Sequence, residues 1–238
     1  MTTDKVINVG ILLYPSCTLM DFAGAFQVFS APVNNFTPHL IAQSPEITTS
    51  EGMTVKADFL LTDNDMPVLD MLFIPGGSSN GVVPKMFDSA FLAFINDNIA
   101  TWKGSVCTGA FILAASGILR NCTATTYWSV IPELRLLAAK YNLEIPDGYP
   151  RYLIDKDAKV FTGGGISSSI DLALDIVLKF QGLDIAQKTQ LFIQYQPSPP
   201  INAGDPAHAP EKITADLLAF EQKGNEAYAL AVEKLLHM

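Results

Sequence analysis

The chain is poor in the side chains that bind metals or form disulfides, with three cysteines and three histidines among 238 residues. A small, odd number of cysteines in a chain of this length excludes a disulfide scaffold and is typical of the reducing cytoplasm. The histidines, His39, His208 and His237, are far apart in the sequence, and neither a CxxC nor an HExxH motif occurs. We therefore expect neither a metal site nor a cofactor.

Basic residues are also scarce, with 15 Lys and Arg against 24 Asp and Glu, for a net charge of −9. Nucleic acids and anionic membrane surfaces are bound by clustered basic residues, so this composition argues against both as partners. The chain has no run of about 20 apolar residues. The N-terminus lacks the pattern of a secretory signal. We therefore expect no membrane span and a cytoplasmic location.

Apolar residues, in contrast, make up 49% of the chain, and the mean hydropathy is +0.25. This surplus is typical of a parallel sheet that is buried on both faces, or of a subunit interface. Apolar runs at Val6–Leu13, Asp70–Ile74 and Gly104–Val106 predict buried strands. Strands that alternate with helical patterns indicate an α/β sandwich with a mostly parallel sheet.

Helices are predicted where apolar residues recur with helical spacing. They span Leu19–Ser30, Phe87–Thr101, Thr108–Leu119, Ser129–Tyr141, Ser167–Gln181 and Asp184–Tyr195, and a hairpin is predicted over Arg151–Thr162. Because no linker divides the chain, we expect a single domain over 1–238, in which 196–238 form a C-terminal loop and a helical extension that breaks at Gly224. No GxGxxG motif follows the first strand, which argues against a dinucleotide site.

Cys107 lies in the most informative segment, 105–109 (SVCTG). Small residues two places before and after it match a nucleophile elbow, a sharp turn from a strand into a helix. The free N–H groups and the dipole at the start of a helix favour the reactive thiolate. Free cysteines are more often small buried hydrophobes, but the elbow spacing favours a nucleophile here. Cys17 and Cys122 lack this setting and are interpreted as structural.

Two further elements point to the same edge of the sheet. Gly76 and Gly77 end a buried strand, where ligands of open α/β sheets bind. Their backbone N–H groups, with those of Cys107 and Thr108, are predicted to form an oxyanion-type site. Asp21 interrupts an apolar helix, and a buried acid there needs a partner or a proton. The alternatives for these elements are an ordinary turn and a solvated aspartate at a helix N-terminus.

These motifs together resemble the ThiJ/PfpI superfamily of cysteine-dependent α/β proteins. The resemblance rests on Asp21-Phe-Ala-Gly, Ile74-Pro-Gly-Gly77 and Ser105-Val-Cys-Thr-Gly-Ala110. It is narrowed to the isonitrile (isocyanide) hydratases by Ala124-Thr-Thr-Tyr-Trp128, Thr162-Gly-Gly-Gly-Ile166 and Gln194-Tyr-Gln-Pro-Ser-Pro-Pro200. The similarity extends over most of the chain, from Val6 to Pro210.

The resemblance implies a three-layer flavodoxin-like sandwich of the class I glutamine amidotransferase type and a homodimer. It also implies a hydro-lyase that converts an isonitrile, R–NC, to an N-formyl amide through a cysteine thioimidate. Cys107 would be the nucleophile, Asp21 the acid and base, and Thr108 the neighbour that assists both. Many relatives have histidine where this chain has Tyr127, so a possible imidazole near the site is lost.

Two other functions remain open at this point. The same fold and nucleophile serve glyoxalases and deglycases that act on α-oxoaldehydes, although the absence of a histidine next to Cys107 argues against that chemistry. Similar domains also occur as ligand-sensing or redox-sensing modules fused to DNA-binding regions. The residues after Pro210 suffice for only one or two helices, and the net charge is −9. DNA binding by this chain is therefore not expected.

Overall fold

The computed structural model describes residues 5–238 as alternating strands and helices. The elements are β1 (Ile7–Leu12), α1 (Leu19–Phe29), β2 (Phe36–Ala42), β3 (Glu46–Thr48), β4 (Thr54–Lys56), β5 (Phe59–Leu60), β6 (Met71–Ile74), α2 (Ser79–Lys85), α3 (Ser89–Asp97), β7 (Trp102–Val106), α4 (Gly109–Ala115), a 3-10 turn (Trp128–Val130), α5 (Ile131–Arg135), α6 (Ala138–Tyr141), β8 (Tyr152–Asp155), β9 (Val160–Gly163), α7 (Ser168–Gln181), α8 (Leu183–Phe192) and α9 (Glu211–His237).

A seven-stranded sheet forms the centre, with the order β5-β2-β1-β6-β7-β9-β8. All neighbouring strands are parallel except β8 and β9, which form the predicted hairpin. Every residue of β6 and β9 is buried, and so are five of the six residues of β1. Such continuous apolar runs are typical of parallel strands covered by helices on both faces. The predicted α/β class with a mostly parallel sheet is confirmed.

The helices pack in two groups, which give the sandwich its three layers. Helix α1 packs against α7, and α7 packs against α8. In the other group, α2 contacts α4 and α9, and α5 also contacts α9. The core between the layers is rich in buried aromatic rings. Phe73 on β6 and Phe161 on β9 meet across the intervening strand β7, with ring centroids 5.8 Å apart.

The strand order reverses beside β1, and this reversal determines where a ligand can bind. After β1 the chain builds the sheet outward through β2, and β6 then returns to the opposite side of β1. The carboxyl ends of β1 and β6 therefore diverge into helices on different sides of the sheet. A crevice opens at such a switch point. Cys107 follows β7, the next strand along, so it lies at the same edge.

Several predicted elements differ in extent from those of the structure. The predicted helix over 87–101 is shorter (Ser89–Asp97), and α2 before it was not predicted. The predicted helix over 129–141 is three short pieces. The strands β3, β4 and β5 were also missed. These elements are short, and they form because of tertiary pairing and packing rather than local periodicity.

The predicted break at Gly224 is wrong, because α9 runs without interruption from Glu211 to His237. A glycine inside a helix costs only about 1 kcal/mol relative to alanine, which packing can offset. A Cβ at Gly224 would lie 3.8 Å from Ser79 Oγ, an ordinary van der Waals distance, so Gly224 faces α2 without being required by a close approach. No helix between residues 5 and 238 combines the length and the apolarity needed to cross a bilayer.

Candidate active site

Three segments converge at the carboxyl edge of the sheet, one after each of β1, β6 and β7. The segment after β1 pairs with the segment after β6 through their backbones. The Thr18 amide donates to the Gly76 carbonyl at 2.9 Å, and Cys17 bridges to Gly77. These bonds hold the Pro75-Gly76-Gly77 turn in place beside the third segment, which begins at Cys107.

Cys107 occupies a strained backbone conformation between β7 and α4. Its φ is 56°, in the left-handed region that residues other than glycine rarely adopt. Its amide donates to the Gly163 carbonyl at 3.0 Å, and its carbonyl accepts from Thr126 Oγ1 at 2.9 Å. Strain of this kind costs about 1–3 kcal/mol and persists only where surrounding contacts enforce it. The backbone geometry is that of the predicted nucleophile elbow.

Gly76 and Gly109 allow the turn and the elbow to approach each other closely. A Cβ at Gly109 would lie 2.6 Å from the Ile74 carbonyl oxygen. A Cβ at Gly76 would lie 2.7 Å from Asp21 Oδ2, from Cys107 Cβ and from the Thr108 amide nitrogen. Only glycine fits at either position without displacing backbone. The same measurement shows that Asp21, Cys107 and Thr108 surround one point.

Asp21 reaches this point from the first turn of α1 and is fully buried. Its Oδ2 accepts a hydrogen bond from the Gly76 amide at 2.8 Å. Its other oxygen, Oδ1, is buried and accepts no hydrogen bond from the residues that the structure describes. The structure therefore brings Asp21 and Cys107 together, and leaves one carboxyl oxygen available for proton transfer.

Burial dominates the acid–base properties of both groups. Burial raises the pKa of Asp21 to about 7. Hydrogen bonds from the Gly76 amide and the Cys107 thiol lower this pKa, but by less than burial raises it. Burial, and then the charge of Asp21, raise the pKa of Cys107 well above its usual value, although hydrogen bonds from Thr108 lower it. The expected raised pKa of Asp21 is confirmed. The expected resting thiolate is wrong, because desolvation outweighs the helix N-terminus.

The predicted oxyanion-type site requires the amides of Gly76 and Gly77 to be free to bind a ligand. Both amides instead donate to side chains of the protein. The Gly76 amide donates to Asp21, and the Gly77 amide donates to Thr108 Oγ1 at 2.9 Å. The Thr108 hydroxyl in turn donates to the Gly77 carbonyl at 2.9 Å. The two glycines therefore orient the acid and the threonine. The Thr108 amide instead faces the sulfur of Cys107, where it lowers the thiol pKa.

Two tyrosines that the sequence did not single out also hold the turn. Tyr14 donates its hydroxyl to the Pro75 carbonyl at 2.7 Å, and Tyr228 donates to the Gly77 carbonyl at 3.1 Å. Tyr228 lies on α9, and its ring stacks on Phe111 of α4 with centroids 4.7 Å apart. Tyr14 directly follows a predicted strand, so its place at the carboxyl edge of the sheet could have been predicted from the sequence. Tyr228 carries no local signal, because it is far from the site in sequence.

A cavity of about 350 Å³ opens over Cys107. One side is formed by the segments just described, including Thr18, Gly77 and Thr108. The other side is formed by Tyr127 and by residues of α9, namely Phe220, Glu221, Gly224, Asn225 and Tyr228. A larger cavity, of about 1090 Å³, lies between α7, α8 and the loop at 197–204, and Cys107 does not line it. We therefore take the smaller cavity as the candidate active site.

The site has hydroxyl groups, one thiol and carboxyl groups as its reactive side chains. Across residues 5–238, no group of three or more His, Cys, Asp or Glu side chains is arranged to hold a metal ion. All three cysteines are free, and Cys17 and Cys122 are buried with pKa values that burial raises to about 11. A nucleophile beside a group that can both accept and deliver a proton can add to an electrophilic carbon and protonate it.

Comparison with known proteins identifies relatives that match most of the chain. The model of the DJ-1/PfpI family matches residues 8–179. The isonitrile hydratase of Pseudomonas putida is 36% identical over 210 residues, which cover 87% of this chain and 86% of that protein. The crystal structure of a ThiJ/PfpI family protein from Pseudomonas syringae has a TM-score of 0.86 and 26% identity, covering 96% of this chain and 91% of that chain.

A relative of a different kind is the HTH-type transcriptional regulator CdhR of Pseudomonas aeruginosa. It is 26% identical over 196 residues, which cover 76% of this chain but 53% of the regulator. The chain thus spans about half the length of that regulator.

Proposed function

The chain belongs to the DJ-1/PfpI family, and from that premise we propose that it hydrates isonitriles, R–NC, to N-formyl amides. The observation that carries the proposal is that the strained Cys107 lines the cavity, while the buried Asp21 lies behind it against the same glycine, Gly76. An isonitrile carbon accepts a nucleophile and then needs a proton, so a thiol beside an acid–base group suits this reaction. The 36% identity to an isonitrile hydratase supports the same activity.

In the proposed mechanism Cys107 and Asp21 share one proton. At rest the thiol holds it, because the pKa of Cys107 lies well above that of Asp21. As the sulfur forms a bond to the isonitrile carbon, Asp21 accepts the thiol proton and delivers it to that carbon. The product of this step is a thioimidate, R–N=CH–S–Cys107. The sulfur and its proton have then both been added to the isonitrile carbon, Asp21 is a carboxylate again, and the net charge is unchanged.

Water completes the reaction in the second half. Asp21, again a carboxylate, removes a proton from water as the oxygen bonds to the thioimidate carbon, and passes that proton to the nitrogen. The carbon–sulfur bond then breaks as the new hydroxyl becomes the formyl carbonyl. The hydroxyl proton passes through Asp21 to the sulfur, and the N-formyl amide leaves. Thr108 assists by holding the Gly77 turn with its hydroxyl and by directing its amide at the sulfur.

The test is incubation of the purified protein with a simple aromatic isonitrile, followed by chromatography and mass spectrometry for the N-formyl amide. The native protein is expected to form the amide, and Cys107→Ala to form none. Cys122→Ala is the matched control, because it removes a buried thiol that lies outside the cavity and should retain turnover. Full activity of Cys107→Ala would overturn the proposal.

The similarity to a transcriptional regulator favours one other function, which is ligand sensing without turnover. The same incubation separates the two. A sensing module would bind the isonitrile or trap it on Cys107 in a stoichiometric amount, and the amide would not accumulate beyond one equivalent of protein. An α-oxoaldehyde offered in parallel tests the glyoxalase alternative, for which we expect no turnover.

We also propose that the protein acts as a cytoplasmic homodimer. Free cysteines suit a reducing compartment. Large apolar side chains remain exposed on the monomer, including Phe220 and Leu191 at 85% and 80% exposure. Exposed apolar surface of this kind is typical of an interaction surface. Light scattering coupled to size-exclusion chromatography should give about twice the mass of 25.8 kDa.

A further inference from the structure

Glu221 places a carboxyl group in the wall of the cavity opposite the nucleophile, and the proposed mechanism does not use it. It projects from α9, one turn before Gly224, and lines the cavity together with Cys107. Its charge acts on both Tyr127 and Tyr228, and each of these tyrosines also interacts with Cys107. The carboxyl group therefore lies in the same cavity as the sulfur at which a substrate would react.

Only one of the two oxygens of Glu221 is occupied. Oε1 accepts a hydrogen bond from the Tyr127 hydroxyl at 3.0 Å. Oε2 is buried and accepts no hydrogen bond from the described residues. Ser129 lines the same cavity, and its Oγ is likewise buried and unpartnered among them. Buried oxygens without a donor are energetically unfavourable, so the wall is suited to a ligand that brings one.

The charge of Glu221 is also uncompensated. The residues that line the cavity include no Lys, Arg or His, and Glu221 forms no ion pair within residues 5–238. The remaining polar groups are hydroxyls and amides, and apolar walls come from Val130, Ile166 and Phe220. A carboxylate among such neighbours attracts a cation and repels an anion.

We propose that Glu221 determines specificity, and that the cavity accepts isonitriles whose substituent carries a protonated amine. The ammonium group would donate to Oε2 of Glu221 and to the Ser129 hydroxyl, while the isonitrile carbon meets the sulfur of Cys107. A net charge of −9 favours the approach of such a substrate as well. This inference rests on the proposed hydration of isonitriles and names the class of substrate for that activity.

The experiment compares three aromatic isonitriles of similar size that differ in charge: para-(aminomethyl)phenyl, para-ethylphenyl and para-(carboxymethyl)phenyl isonitrile. In the native protein kcat/KM should be highest for the amine and lowest for the carboxylate. A charge-assisted hydrogen bond predicts a preference of roughly tenfold or more for the amine over the ethyl compound.

The variant Glu221→Gln keeps the shape of the side chain and removes its charge. The amine-to-ethyl ratio of kcat/KM should fall roughly tenfold in this variant. Glu226→Gln is the matched control, because Glu226 is an exposed acid on the same helix that does not line the cavity. The amine-to-ethyl ratio of Glu226→Gln should equal that of the native protein. This control separates the loss of a charge anywhere on α9 from the loss of the charge inside the cavity.

The outcomes separate the inference from the function on which it depends. If the native protein hydrates all three isonitriles and Glu221→Gln leaves the ratio unchanged, the specificity role is overturned while the hydratase proposal stands. If the native protein hydrates none of them, the hydratase proposal fails and the inference falls with it. A fall in the ratio confined to Glu221→Gln supports both.

Discussion

The hydroxyl groups of Thr108 and Tyr228 both donate to the carbonyl oxygen of Gly77, at 2.9 Å and 3.1 Å. Thr108 follows the nucleophile directly, whereas Tyr228 comes from the C-terminal helix α9. The glycine turn is therefore held from the elbow and from α9 at once. Because of this arrangement, α9 forms part of the candidate active site, and that site depends on a segment remote from Cys107 in sequence.

Tyr228→Phe tests the contribution of α9. The change removes one hydrogen bond to Gly77 but keeps the ring that stacks on Phe111. We expect the free energy of unfolding to fall by about 1 kcal/mol, with a lower kcat because the turn is held less firmly. Urea unfolding and steady-state kinetics measure the two effects. Tyr149→Phe, on an exposed tyrosine outside the cavity, should change neither.

Thr108→Val tests the link between the elbow and the glycine turn. Valine has the shape of threonine but leaves the amide of Gly77 without its acceptor. A loss of about 1–3 kcal/mol in unfolding free energy is expected from that unpaired group, together with reduced turnover. Thr108→Ser keeps the hydroxyl and should restore most of both. If Thr108→Ser lost as much stability and turnover as Thr108→Val, the role given to the hydroxyl would be contradicted.

The buried acid should make the protein less stable as pH rises. The pKa of Asp21 is about 7 in the folded protein and 3.8 in an unfolded chain, so the folded state binds more protons between these pH values. Stability therefore falls as pH rises through this window. The difference of about three pH units corresponds to about 4 kcal/mol. Asp21→Asn does not titrate, so its stability relative to the native protein should increase from pH 4 to pH 7.

Denaturant unfolding at several pH values measures this difference. Asp157→Asn is the control, because Asp157 is exposed, and its relative stability should show no such increase. A difference between Asp21→Asn and the native protein that is constant with pH would contradict the burial argument.

The activity should depend on pH with the opposite sign. Asp21 must be ionised to accept the thiol proton, so kcat/KM should rise with pH through an apparent pKa near 7. The value of kcat/KM should then stay constant until the Cys107 thiol also loses its proton, at a pH above the usual pKa of a thiol. The rate profile of the hydration reaction measures both limbs. An activity that falls as pH rises through 7 would show that the fully protonated pair is the active form.

Local sequence patterns were sufficient for the central strands and for the elbow. The runs at β1 and β6 are mainly apolar because these strands are buried on both faces, and β7 is buried over its last three residues, which lead into the elbow. The small residues Ser105 and Gly109 indicated the turn at Cys107, and the backbone there adopts it. Local patterns did not predict the short elements β3, β4 and α2, which depend on tertiary contacts. The strands β3 and β4 form an antiparallel pair with each other, and α2 packs against α9.

The electrostatics of the site could be predicted only in part. An acid among apolar neighbours indicated a raised pKa for Asp21, and the structure agrees. The position of Cys107 at a helix N-terminus predicted a thiolate, but burial raises the pKa of the thiol and favours the protonated form. The difference arises because a helix dipole is a local property, whereas desolvation depends on every segment that covers the sulfur.

The sequence by itself determined the fold class and the sharp turn at Cys107, because each depends on neighbouring residues or on apolar runs. For Asp21 it left two alternatives, a buried acid and a solvated one, and the structure decided for burial. Only the tertiary structure decided that the amides of Gly76 and Gly77 serve Asp21 and Thr108, and that Tyr228 and Glu221 of α9 complete the cavity. Such contacts join segments that are distant in sequence. Their partners are selected by the packing of the layers, which no local pattern records.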